Sequence, residues 1–116
     1  MKKILYAEDE FTSRSILEAY MTKAGAKCCF ATDGEAALKL FGENSFDLVI
    51  LDQYMPIMSG DKVAAIIRES GSDIPILAIT SDEGEIEKLK KAGITECFIK
   101  PLHKEDYLYI IEKYLK

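Results

Sequence analysis

The sequence predicts an α/β protein, a parallel sheet with helices on both faces. Three observations carry this reading. Short apolar runs alternate five times with segments of helical periodicity; the connections are short; and the third run, Leu48-Val49-Ile50-Leu51, shows no polar alternation. Unbroken apolar strands are buried on both sides, and repeated strand–helix alternation requires crossovers that lay helices over a parallel sheet. With 116 residues, 48% of them hydrophobic and 30% charged, the chain reads as one domain, residues 1–116, able to bury its own core.

The elements follow in order. Ile4-Leu5-Tyr6-Ala7 is the first strand and runs into Glu8-Asp9-Glu10. Ile16, Leu17, Tyr20, Met21 and Ala24 then recur at helical spacing over residues 12–24, and Gly25 is placed to end that helix. Residues 27–31 form a second, shorter strand. Thr32-Asp33-Gly34-Glu35 has the Thr-x-x-Glu form of a capping box. It opens a helix with Ala37, Leu38 and Phe41 on one face. The third strand ends in Asp52, and Pro56 and Gly60 punctuate the loop beyond it.

Ser59-Gly60-Asp61 starts a helix that turns Val63, Ile66 and Ile67 inward. Ile74 precedes Pro75 and is therefore extended. Ile76-Leu77-Ala78-Ile79 is the fourth strand, ending at Thr80. The next helix, about 83–92, has only Ile86 and Leu89 as large apolar residues; an element held by so little is a candidate for movement. Cys97-Phe98-Ile99 is the fifth strand, followed by Lys100-Pro101. Tyr107, Leu108, Ile110, Ile111, Tyr114 and Leu115 mark the last helix.

Composition excludes several classes. A net charge of −5 argues against a broad nucleic-acid footprint, and Lys88, Lys90 and Lys91 read as the solvated face of a helix. No apolar run approaches a membrane span, and the start turns acidic too early for a signal peptide. Cys28 and Cys29 are adjacent in a strand and face opposite sides, with Cys97 far off in sequence. They read as small buried hydrophobes of a reducing cytoplasm, not as a disulfide or metal framework.

The carboxyl ends of the strands carry the chemistry. Glu8 and Asp9 follow the first strand, Asp52 the third, Thr80 the fourth and Lys100 the fifth. In open parallel sheets the ligand crevice lies outside these ends. Each residue alone has an ordinary reading: Asp52 as a turn residue, the acidic pair as a helix-terminus charge, Thr80 as a cap, Lys100 as a loop lysine. Together they would supply three carboxylates, a hydroxyl and an ammonium. Crowded carboxylates disfavour their own ionisation, and a divalent cation relieves this. An all-oxygen donor set suits Mg²⁺, and no Cys/His cluster exists for zinc. Phosphoryl transfer is mostly positioning and charge neutralisation, which such groups provide, with Asp52 as the acceptor. His103, the single histidine, reads as a surface or cap residue.

Glu8-Asp9, Asp52-x-x-x-Pro56 with Gly60 beyond, Thr80 and Lys100-Pro101 are the motifs in which the chain resembles the receiver domain of bacterial two-component response regulators, over essentially its full length. The resemblance implies a flavodoxin-like sheet of strand order 2-1-3-4-5, the order of a chemotaxis receiver. It implies Mg²⁺ bound by Glu8, Asp9, Asp52 and the backbone carbonyl of Tyr54, with Asp52, Thr80 and Lys100 as the reacting and catalytic groups. It implies a cis peptide at Lys100-Pro101. The partner would be a sensor histidine kinase or phosphotransfer protein whose phosphohistidine feeds Asp52, and the surface of the fourth helix, fifth strand and fifth helix would then switch. Such a chain is a cytoplasmic phosphoacceptor, not a classical turnover enzyme, with a downstream protein target and no direct nucleic-acid contact.

Two departures stand out. Glu8 replaces the more usual first aspartate, and Cys97 stands where the family usually carries Tyr or Phe three residues before the lysine. Phe98 faces the other side of the sheet and is no substitute. Tyr54 and Asp82 occupy positions that tune phosphorylation rates in the family. The alternative is a pseudo-receiver that keeps the fold as a protein-interaction module without phosphate. An enzyme on a similar sheet is disfavoured: Tyr54 stands where a haloacid-dehalogenase-like phosphatase needs its second aspartate. Glu8-Asp9-Glu10 would repel a flavin phosphate, and no G-x-G-x-x-G follows the first strand.

Overall fold

Five runs of strand-forming residues become five parallel strands in the computed structural model, which describes residues 1–116. They are β1 (Lys3–Ala7), β2 (Lys27–Ala31), β3 (Leu48–Asp52), β4 (Ile76–Thr80) and β5 (Glu96–Ile99). The sheet order is β2-β1-β3-β4-β5, parallel at every pairing, as the resemblance implied. The helices are α1 (Phe11–Lys23), α2 (Gly34–Glu43), α3 (Gly60–Glu69), α4 (Ile86–Lys91) and α5 (Lys104–Tyr114).

Strand pleating sorts the side chains into two cores. Ile4, Tyr6, Leu48, Ile50, Leu77 and Ile79 meet Leu17 and Met21 of α1 and Tyr107 and Ile110 of α5. Leu5, Ala7, Val49, Leu51, Ile76 and Ala78 meet Ala37 of α2, Val63, Ala64 and Ile67 of α3 and Leu89 of α4. β3 is buried along its whole length, the environment its apolar run called for. Each fully buried Leu or Ile stabilises the fold by about 2 kcal/mol.

Several local expectations are corrected. The α2 cap is Asp33, whose carboxylate accepts from the Ala36 amide at 2.7 Å. The Thr32–Glu35 pair is therefore one residue out of place, and both side chains are exposed. Ile16, Ile66 and Leu108 lie on the periodic stripes of their helices yet face solvent, because each flanks a position that already fills the contact: Leu17, Ile67 and Tyr107. The expected helix over 83–92 is a single 3₁₀ turn, Glu83–Glu85, followed by only six α-helical residues. His103, by contrast, takes its expected surface and cap place: it is exposed at the N-cap of α5, and its amide donates to Asp106 Oδ2 at 2.8 Å.

Glycine decides how α3 approaches β3. A Cβ on Gly60 would stand 2.7 Å from the Asp52 carbonyl oxygen, and the Gly60 amide donates to the Gln53 carbonyl at 3.0 Å. The loop leaving Asp52 is thereby folded back against the strand that carries it.

Candidate functional site

Pleat parity explains which side chains meet. Glu8 continues the alternation Ile4, Tyr6; Asp52 continues Leu48, Ile50; Lys100 continues Phe98. All three project on the α1/α5 side at the carboxyl rim. The Lys100 ammonium bridges the two acids, with Nζ 3.1 Å from Glu8 Oε1 and 3.2 Å from Asp52 Oδ1. Glu8 is fully buried and Asp52 nearly so, whereas Asp9 is exposed. Glu8, Asp9 and Asp52 each present a carboxylate oxygen within 4.8 Å of the others.

The Glu8 carboxylate is held from several directions. Besides Lys100, the buried Tyr6 hydroxyl approaches Oε1 at 3.5 Å and the Glu10 amide donates to Oε2 at 3.3 Å. Arg14 of α1 donates to the Glu8 carbonyl at 2.9 Å. The Glu8 carboxylate thus meets the lysine directly while its second oxygen is held by the Glu10 amide.

The electrostatics follow from this crowding. Burial and the neighbouring Glu8 charge push the Asp52 carboxyl up to about 7, against the opposing pull of Lys100. Burial works to lower the Lys100 ammonium, but its bonds to Glu8 and Asp52 outweigh that and hold it above its ordinary range. Three carboxylates against one ammonium leave the rim with surplus negative charge and only oxygen donors. That chemistry fits a hard divalent cation.

Thr80 is buried at the end of β4, the strand beside Asp52. Its carbonyl accepts from the Lys100 amide at 2.8 Å, and its Oγ1 accepts from the Asp82 amide at 3.1 Å. The hydroxyl hydrogen is not used in either bond. The cap of the following turn is Asp82, which accepts from the Gly84 amide at 2.8 Å. Lys100-Pro101 is cis. Tyr54 is half exposed, and its hydroxyl reaches across to Asp82 and Glu85.

Cys97 packs on the α2/α3/α4 core and Phe98 on the opposite one, so the two are not interchangeable. Cys28, Cys29 and Cys97 are all free and partly buried. Lys88, Lys90 and Lys91 are exposed, as expected of a solvated face, but Lys88 also lies 3.7 Å from Asp61.

Three residues of this neighbourhood, in two pairings, escaped sequence reasoning as members of the site. Gln53 and Asp61 form a buried reciprocal pair: Gln53 Nε2 donates to Asp61 Oδ1 at 3.0 Å, and the Asp61 amide donates to Gln53 Oε1 at 2.9 Å. Glu85 receives the Tyr54 hydroxyl across 31 residues of chain. Neither pairing leaves a periodic or spacing signal.

Known proteins resemble this chain in sequence and fold. The response regulator receiver domain family matches residues 4–112. The Regulator of RpoS of Escherichia coli K12 is 38% identical over 103 residues, covering 87% of this chain and 31% of that protein. Hybrid signal transduction histidine kinase I of Dictyostelium discoideum is 32% identical over 88% of this chain and 6% of its own length. The chain therefore spans under a third of either protein. Among solved structures, the Thermotoga maritima response regulator TrrA in complex with Mg²⁺-BeF superposes with a TM-score of 0.89 at 32% identity, covering 98% of this chain and 99% of that one. Vibrio cholerae chemotaxis protein CheY4 does so at 0.89 and 27%, covering 98% of each. No helix of the chain is long and apolar enough to cross a membrane. The rim of acids, hydroxyl and lysine, the sheet order and these likenesses agree: the chain belongs to the response regulator receiver domain family of two-component signalling.

Proposed function

We propose that residues 1–116 form a single phosphoacceptor domain in which Asp52 takes a phosphoryl group from a phosphohistidine on a sensor kinase or phosphotransfer protein. The observation that carries this is the buried Asp52 carboxylate set beside Glu8 and Asp9 and bridged to Glu8 by Lys100. An Asp52 oxygen attacks phosphorus as the phosphorus–nitrogen bond breaks. The products are an acyl phosphate on Asp52 and a free imidazole on the donor.

Glu8, Asp9, Asp52 and the Tyr54 carbonyl would hold Mg²⁺, which when bound neutralises charge on the entering phosphoryl oxygens. The likeness to a receiver solved with Mg²⁺-BeF supports this assignment. Lys100 keeps Asp52 oriented and stands ready to pair with a phosphoryl oxygen. The Thr80 hydroxyl has its hydrogen free to donate to another. The acyl phosphate carries about −2 where the carboxylate carried −1, and the added charge biases α4, β5 and α5 toward a second arrangement that a downstream protein reads. The chain is consumed and regenerated as a switch and does not turn over a substrate.

Intact mass after exposure to a small phosphodonor with Mg²⁺ tests the reading. One added phosphate is expected, absent in Asp52→Ala. No gain with any donor would overturn it and favour the interaction-module alternative, for which Cys97 in the usual aromatic position is the supporting observation.

A further inference from the structure

α4 is tied to the chain more by polar contacts than by apolar ones. Leu89 is its one fully buried side chain, and Ile86 is only half-buried. The ties on its near side run to Tyr54, in the loop that leaves β3, and to Asp61, at the start of α3. The Tyr54 hydroxyl lies 2.8 Å from Glu85 Oε1 and 3.3 Å from Asp82 Oδ2. Lys88 Nζ lies 3.9 Å from Glu85 Oε2 and 3.7 Å from Asp61 Oδ2. Asp61 is locked to Gln53 by the reciprocal pair and also accepts from the Ser59 hydroxyl.

Gln53 and Tyr54 are the two residues after Asp52. Both threads from α4 therefore end on the backbone that carries the phosphoacceptor. A phenol has one hydrogen to donate, so Glu85 and Asp82 are alternative acceptors. Glu85 stands at the entrance to α4, while Asp82 is bound through its amide to Thr80 Oγ1. One acceptor reports on the helix and the other on the site.

We propose that Tyr54 and Asp61 form a polar latch that holds α4 in the unphosphorylated chain and that phosphorylation of Asp52 opens it. The coupling rests on the phosphoacceptor reading of Asp52. A phosphoryl group draws the Thr80 hydroxyl toward it, and Thr80 carries the Asp82 amide along. The same negative charge repels the Asp82 and Glu85 carboxylates. The Tyr54 hydroxyl loses Glu85, and α4 is left on the single Lys88–Asp61 pair, half-buried Ile86 and Leu89. The latch thus sets the resting population of an equilibrium that phosphorylation shifts.

The full chain with Tyr54→Phe, and separately with Glu85→Gln, tests this. In metal-free protein without a donor, amide hydrogen exchange over residues 86–91 should quicken roughly 5- to 10-fold in each variant, with β1 and β3 unchanged, as expected for loss of one charge-assisted hydrogen bond from a local opening unit. Their α4 amide shifts should lie on the line joining resting wild type to wild type with beryllofluoride and Mg²⁺. Unaltered exchange and shifts over 86–91 in both variants overturn the latch. If wild type shows no response to beryllofluoride at Asp52 and Thr80, the phosphoacceptor reading fails and takes the coupling with it. A wild-type response at the site with unaltered variants sinks the latch alone.

Discussion

Replacing Asp52 by Asn should stabilise the metal-free chain at neutral pH. In the folded protein Glu8 and Asp52 share one ammonium, Lys100. Removing the Asp52 charge leaves a one-to-one pair. The Asp52 carboxyl sits at about 7 when folded, against an ordinary 3.8. At about 1.4 kcal/mol per pH unit, that gap amounts to about 4 kcal/mol, with the attraction of Lys100 already subtracted. The folded value lies above the unfolded one, so the wild type is at its best below the unfolded value and loses stability as pH rises toward the folded one. Asparagine does not titrate. The advantage of Asp52→Asn should therefore be small near pH 4, widen by about 2 kcal/mol between about pH 5.5 and 8, and level off above. Urea denaturation with a chelator present, at several pH values, measures it. A variant no more stable than wild type at about pH 8, or an advantage independent of pH, would refute the electrostatic account of the rim. Added Mg²⁺ should narrow the gap, since only the wild type offers the full set of charges.

Three further outcomes are expected. Mg²⁺ should raise the melting temperature of the wild type by mass action, and Asp9→Ala should remove most of that gain; an unchanged wild-type melt across millimolar Mg²⁺ would count against the site. Gly60→Ala should cost about 1–3 kcal/mol, because the new methyl meets the Asp52 carbonyl at 2.7 Å, and weaker Mg²⁺ binding should accompany the loss in calorimetry. Ile57 holds a φ of +70° and is 72% exposed. Ile57→Asn should thus raise stability by about 1 kcal/mol, by relieving left-handed strain on a β-branched residue at little loss of burial; a drop in the denaturation midpoint would contradict this.

The motifs that resemble the receiver family were legible because the chemistry sits on strand ends, and strand ends are marked by apolar runs that stop at a polar residue. Asp52, Thr80 and Lys100 each close such a run, and Glu8 opens the loop after another. The latch was not legible. Tyr54 and Glu85 lie 31 residues apart and Gln53 and Asp61 sit in a loop and at a helix start, where no periodicity applies. Helix faces were read less well than strands. A helical stripe is wide, and Ile16, Ile66 and Leu108 fall at its edge, where the position of the neighbouring helix decides between core and water.

The sequence by itself determined the alternation, hence the parallel sheet, and placed polar groups at one end of it, because hydrophobic period and chain direction are local properties. Only the tertiary structure decided which of those groups touch. Glu8, Asp52 and Lys100 meet because strand order and register bring residues of the same pleat parity side by side, while Asp9 at the same rim is left in solvent. The balance of one ammonium among buried carboxylates, and so the raised Asp52 carboxyl, exists only once that register is formed, since charge interactions depend on distance and burial, not on position along the chain.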